Sequence, residues 1–316
     1  MTRLVGSSDF GGLVEACATA RGIPAADIEK DIWVVEALRS VFRPIDRATV
    51  VFKGGTSLSK AYGIIERFSE DVDLLVVPDA GLGRSACDRI LKELPARAAA
   101  DMGATTSREG TTQAGIHRAE RVAYEALYPD PGRVTAGVLL ELGVRGGPEP
   151  AEIRTIRSYA ADWAIATGVA QADDYDEFLP VEVLALRPER TLIEKLGLIH
   201  RLAVTYPESA DKVPPSGRHL YDIFRLLGDA SVLNALGDTA FAERIAADAH
   251  QRGVAAGWPS IPRPRGGFAT SPAFVEGTDA AQAFSRALDQ AATLVWGDRP
   301  TFGDVLARVR EHARLL

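Results

Sequence analysis

The chain has 316 residues, of which 46% are hydrophobic and 25% charged, with a formal net charge of −7. This describes a soluble chain long enough for two domains, and excludes general disorder and a uniformly basic nucleic-acid coat, although a local basic face is compatible with it. Two cysteines, Cys17 and Cys87, exclude a disulfide framework or a thiolate zinc site; with no apolar leader and no run of spanning length, the expectation is a cytoplasmic protein without a membrane partner.

Residues 8 to 42 predict two helices, the second being IEKDIWVVEALRSVF with apolar residues at helical spacing, packed on the sheet that follows. ATVVF predicts a strand ending at Lys53, after which Gly54 and Gly55 permit a tight turn and close backbone approach. Thr56 or Ser57 is expected to cap the short helix beyond it, whose first amides and positive dipole end suit an anion. Taken alone, this is an ordinary strand-to-helix turn, and it lacks the GxxxxGK[ST] spacing of a Walker A loop. The next strand, DVDLLVV, changes that reading. Side chains alternate along a strand, so Asp71 and Asp73 share a face, about 6 to 7 Å apart. Like charges heading an apolar run repel and lose hydration, so a cation is expected between them. Oxygen ligands without thiol or imidazole favour magnesium, which takes one or two protein carboxylates and fills its octahedron with water and substrate phosphate.

After a turn over 78–83, SACDRILKELPARAAA predicts a helix, and ATTSREG, HRAERVAYEALY and VTAGVLLELGVR predict strands of a mixed or antiparallel sheet. Glu141 interrupts the apolar VLLELGV, where an unpaired charge is costly; it is either a third carboxylate of the site or the partner of an arginine such as Arg145. EIRTIRSYA and EFLPVEVLAL predict two further strands, and beyond residue 180 the chain reads as mainly helical. In TLIEKLGLIHRLAV an apolar stripe of Leu192, Leu196, Ile199, Leu202 and Ala203 includes Lys195, whose ammonium either snorkels outward or reaches a phosphate. A long loop, TYPESADKVPPSG, leads to GRHLYDIFRLL. Its core face of Leu220, Ile223, Phe224 and Leu227 leaves Asp222 on a solvated side, and His219 reads as a surface imidazole. The Gly- and Pro-rich stretch 253–277 reads as a connection, with Trp258, Arg263, Arg265 and Phe268 as the alternative for stacking and phosphate contact with RNA. TFGDVLARVREHARLL predicts an amphipathic terminal helix.

The order strand, Gly-Gly-Thr-Ser, helix, Asp-x-Asp strand resembles the DNA polymerase β-type nucleotidyltransferase superfamily. The fuller string KGGTSLSKAYG…RFSEDVDL is similar to the AbiEii/AbiGii toxin family, which includes the MenT-like toxins of type IV toxin–antitoxin systems. The resemblance implies an α+β fold: a polymerase β-like nucleotidyltransferase domain, with a mixed sheet and flanking helices, over residues 1–180, and a mainly helical C-terminal domain over 181–316. It implies a magnesium-dependent enzyme that transfers a nucleotide from a nucleoside triphosphate to an RNA acceptor, the 3′ end of tRNA, blocking translation and growth, with a cognate antitoxin as partner. Carried onto this sequence, catalytic roles fall on Asp71, Asp73, Lys195 and Asp222; triphosphate binding on Gly54, Gly55, Thr56, Ser57 and Lys60; metal binding on Asp71, Asp73 and Glu141. The alternatives are a protein or antibiotic hydroxyl as acceptor, or an inactive nucleotide- or protein-binding module.

Overall fold

The computed structural model describes residues 2–67, 69, 71–130, 135–209 and 217–316. They divide into two compact units, one of residues 1–61, 68–145 and 151–185, the other of 62–67, 146–150 and 186–316. The division falls a few residues beyond the expected 180/181 boundary, because the last strand belongs to the first unit's sheet. Two short excursions of the chain, around residues 62–67 and 146–150, join the second unit.

The first unit opens with α1 (Phe10–Arg21) and α2 (Ala25–Val41), then alternates through β1 (Ala48–Lys53), α3 (Gly54–Lys60), β2 (Asp71–Pro78), α4 (Arg84–Met102), β3 (Thr105–Gln113), β4 (His117–Ala123), β5 (Val138–Gly143), β6 (Ala151–Ile156), α5 (Tyr159–Thr167) and β7 (Val181–Leu186). The seven strands form one mixed sheet in the order β3-β4-β5-β2-β1-β7-β6. β1 runs antiparallel to β2 and β5 runs parallel to it. On one face of the central pair, Val72 and Leu74 of β2 stand beside Leu140 and Leu142 of β5, all at most 1% exposed. α2 and α4 pack together and against this part of the sheet. The opposite face is only half buried at the head of β2, so the strand is not covered on both sides there, and polar groups on it remain accessible.

α2 is buried nearly all round, including Asp27, Glu29, Lys30 and Asp31. Each of these charges needs an internal partner. Glu29 accepts from the amides of Leu127 and Tyr128 at 2.8 Å, and the Lys30 ammonium donates to the Thr135 carbonyl at 2.9 Å.

The second unit is helical: α6 (Pro188–Ser209), α7 (Gly217–Leu226), α8 (Ala230–Leu236), α9 (Thr239–Ala255), α10 (Asp279–Ala291) and α11 (Phe302–Glu311). α6 extends into the expected loop as far as Ser209, and the rest of that loop, residues 210–216, lies outside the described residues. α7 packs against α6, α10 and α11. With neighbours on several sides it buries Tyr221, Asp222 and Leu226 along with Leu220 and Ile223, which corrects the single core face read from its sequence. The stretch 253–277 is also more internal than expected. Phe268 is 2% exposed, its amide donates to the Leu316 carbonyl at 3.0 Å, and Arg263 Nε donates to the same oxygen at 2.7 Å. These two residues fasten the C-terminus, while Trp258 remains exposed.

Candidate active site

In the β1–β2 ladder Lys53 stands opposite Asp73, and in the β2–β5 ladder Asp73 stands opposite Glu141. Directly paired residues on neighbouring strands point to the same side. Lys53, Asp73 and Glu141 therefore form a row across the sheet, and Asp71 lies on the same face two residues back. All four are half-buried. Burial raises the Glu141 carboxyl pKa above the usual range, with the charge of Asp73 and then Asp71 adding to it, while His117 and Lys53 act against the rise. Arg145, the alternative partner, does not figure among these charges.

The glycine turn is built into the same face. Gly54 has φ +76°, and a Cβ there would lie 1.9 Å from Asp73 Oδ2, so the aspartate side chain lies directly over the glycine. Thr56 Oγ1 donates to the Asp71 carbonyl and Ser57 Oγ donates to the Gly54 carbonyl at 2.9 Å. Neither hydroxyl caps the helix: both residues lie inside α3, whose N-cap is Lys53 without a side-chain bond. The first amides of a helix have no intrahelical acceptor, so what this turn offers an anion is the backbone of residues 54–57 rather than its hydroxyls. Lys60 departs further from expectation. Its ammonium lies 2.8 Å from Asp31 Oδ1 and 3.8 Å from the centre of the Tyr159 ring, with the side chain 3% exposed, so its charge is engaged inside the fold.

Whether magnesium suits these residues follows from the donor set. Among the described residues no three His, Cys, Asp or Glu side chains converge closely enough to enclose a metal ion. Magnesium does not need such a cage; one or two carboxylates suffice when water and phosphate complete its shell. Asp71 and Asp73 on one half-buried face, with Glu141 a strand away and its ionisation opposed by both, give hard oxygens and negative charge that fit a dication.

The second unit holds a separate charged cluster. Asp222 is fully buried, with Oδ1 2.7 Å from Arg67 Nε and Oδ2 2.8 Å from both Arg67 Nη2 and Lys195 Nζ. Burial would raise its pKa, but the Arg67 charge and then that of Lys195 hold it well below the usual carboxylate range. The solvated position expected from the helix pattern is thus corrected: Asp222 is an internal counter-ion. Lys195 Nζ also lies 3.5 Å from His219 Nδ1, and burial followed by the Lys195 charge takes the His219 pKa down to about 3. His219 is therefore a neutral neighbour of Lys195 and not a surface imidazole. Sequence reasoning gave no role to Lys53 or Arg67. Lys53 becomes visible only from the β1–β2 register, and Arg67 only from a contact spanning 155 residues.

A mixed sheet carrying Asp-x-Asp over a glycine turn, with a further carboxylate on the adjoining strand, defines a nucleotidyltransferase. The chain belongs to a particular family of them, matching the model for the nucleotidyl transferase AbiEii toxin of type IV toxin–antitoxin systems over residues 36–308. Among solved structures it is similar to MenT4, a nucleotidyltransferase toxin from Mycobacterium tuberculosis. The two share 18% identity and a TM-score of 0.53, over 96% of this chain and 97% of MenT4, a likeness that shows the fold. A comparison with curated proteins gives no match. Among the described residues no helix is long and apolar enough to cross a membrane.

Proposed function

We propose that this chain is a magnesium-dependent toxin that transfers a nucleoside monophosphate from a nucleoside triphosphate to RNA, at the 3′ end of tRNA, and so stops translation until a cognate antitoxin neutralises it. The observation that carries the reading is the Asp73 side chain lying over Gly54 and beside Glu141, with Asp71 on the same face. That arrangement joins a turn suited to phosphates to carboxylates suited to a metal.

In this reading Asp71 and Asp73 hold magnesium, with Glu141 as a third ligand, and the metal supplies charge neutralisation and alignment of the reacting phosphate. The backbone of Gly54, Gly55, Thr56 and Ser57 receives the outer phosphates, while the two hydroxyls keep the turn and β2 in register. Lys195 offers its ammonium to the triphosphate as a point charge. Asp222 acts through Lys195 rather than on substrate. Lys60 is assigned to supporting α3, because its ion pair with Asp31 leaves no charge to share. The tRNA acceptor follows from the family resemblance alone. The test is incubation with total tRNA, magnesium and each labelled nucleoside triphosphate in turn: transfer of label to the tRNA 3′ end is expected, and failure to label RNA with any of the four would overturn the reading in favour of a protein or small-molecule acceptor.

A further inference from the structure

The Lys195–Asp222 contact raises a difficulty for the role just given to Lys195. A buried lysine paired one to one with a buried aspartate is close to neutral, and such a pair has little charge to offer a phosphate. The structure contains the group that resolves this. Arg67 meets Asp222 through both carboxylate oxygens, at 2.7 and 2.8 Å, and shares Oδ2 with Lys195. Bidentate guanidinium–carboxylate pairing is stronger and more directional than an ammonium contact. The carboxylate is therefore bound first of all to Arg67, and Lys195 keeps most of its charge. His219, held neutral, can accept from the ammonium without adding charge.

Arg67 is also fixed through its backbone. It forms a bridge with Val295, the preceding Glu66 amide donates to the Tyr221 hydroxyl at 3.0 Å, and the Trp296 amide donates to the Glu66 carbonyl at 3.1 Å. The guanidinium thus arrives from a segment pinned on two sides.

We propose that Arg67 is a positioning residue for Lys195: by holding Asp222 with both carboxylate oxygens it takes up that counter-ion and leaves the Lys195 ammonium charged toward a triphosphate. This rests on the reading that Lys195 meets the triphosphate, and the experiment separates the two.

Equilibrium binding of each of the four nucleoside triphosphates, and of the matching nucleosides, is measured in magnesium for the full chain and four variants, with folding checked by circular dichroism. Arg67→Met is expected to weaken triphosphate binding on the order of tenfold and to leave nucleoside binding unchanged. Arg67→Lys is expected to restore most of the loss. Arg67→Met with Asp222→Asn, which removes the buried cation together with the anion, is expected to bind triphosphate like the parent, because Lys195 is again uncompensated. Unchanged triphosphate binding in Arg67→Met, equal losses for nucleoside and triphosphate, or no recovery in the double variant would each overturn the proposal. Should Arg67→Met not fold, the double variant decides alone: parental binding supports the proposal and a tenfold loss refutes it. If Lys195→Met binds triphosphate like the parent, it is the role of Lys195 that fails, independently of Arg67.

Discussion

Replacing Gly54 by alanine tests whether the glycine turn and the aspartates are one construction. Two costs arise, and the structure separates them. At φ +76° an alanine carries left-handed backbone strain of about 1–2 kcal/mol. Its Cβ would also sit 1.9 Å from Asp73 Oδ2 and 2.7 Å from Asp73 Cγ, whereas real Cβ contacts are essentially never shorter than 3.0 Å, so the carboxylate must retreat by more than 1 Å. A misplacement of that size at reacting groups costs about a hundredfold in rate. Gly81 is the control: its φ is +80° and nothing lies within 4 Å of a Cβ there, so Gly81→Ala carries the strain without the collision. In urea unfolding both variants should lose about 1–2 kcal/mol, and in the nucleotide-transfer assay only Gly54→Ala should fall, by about two orders of magnitude. Equal transfer by the two variants would refute the claim that Asp73 is placed by Gly54.

Asp71→Asn and Asp73→Asn should each keep the fold, since each removes one of two repelling charges, while transfer falls by about a hundred- to a thousandfold or more; undiminished activity would remove the metal assignment. The folded pKa of Glu141 lies above its unfolded value of about 4.3, so its contribution to stability is present below that pH and is lost as pH rises through the folded value. Glu141→Gln should therefore melt higher than the parent at neutral pH, with the gap closing in acid and on adding magnesium. Asp222 has the opposite sign: its stabilisation is present above about pH 3.9 and is lost as pH falls toward its depressed folded value, and Asp222→Ala at pH 7 should cost about 3–5 kcal/mol in urea unfolding by stranding two buried cations. Phe268→Ala should cost about 3–5 kcal/mol as a core truncation, whereas Trp258→Ala, at an exposed position, should be nearly neutral by the same measurement.

The half of the site on the sheet was legible because its logic is local. Strand alternation places Asp71 and Asp73 on one face whatever the rest of the fold does, and a glycine pair at a strand end announces a turn. Glu141 was recognisable as a charge in an apolar run, but that it stands opposite Asp73 depends on which strands become neighbours, and β2 and β5 are more than sixty residues apart in sequence. Lys53 shows the same limit over a shorter distance: it adjoins the glycines in the sequence, yet its place beside Asp73 requires the β1–β2 register. In the helical unit, periodicity identified the inward stripe of α6 and the unusual lysine on it. It misjudged α7 because a helix wheel assumes one buried side, and α7 is enclosed by α6, α10 and α11. An aspartate that looks solvated on such a wheel can be wholly internal once two cations come from elsewhere in the chain. Lys60 failed for the complementary reason, since Asp31, which takes its charge, lies on a helix that periodicity read only as packing.

The two charged groups of this protein are unbalanced in opposite directions. On the sheet, three carboxylates share a face on which burial and mutual repulsion already hinder the ionisation of one of them. In the helical unit a single carboxylate answers both Arg67 and Lys195. Either imbalance alone lowers stability and has no packing purpose that an apolar residue would not serve better. A magnesium–triphosphate carries the complement of both, its cation for the carboxylates and its phosphates for the lysine. Binding energy from that substrate then offsets electrostatic work done when the chain folds, and the offset is greatest where phosphate charge builds up during transfer. On this reasoning the buried charges persist because the ligand completes them, and substitutions that balance either group internally, Glu141→Gln on one side or the loss of Arg67 on the other, act on substrate affinity through charge rather than through shape.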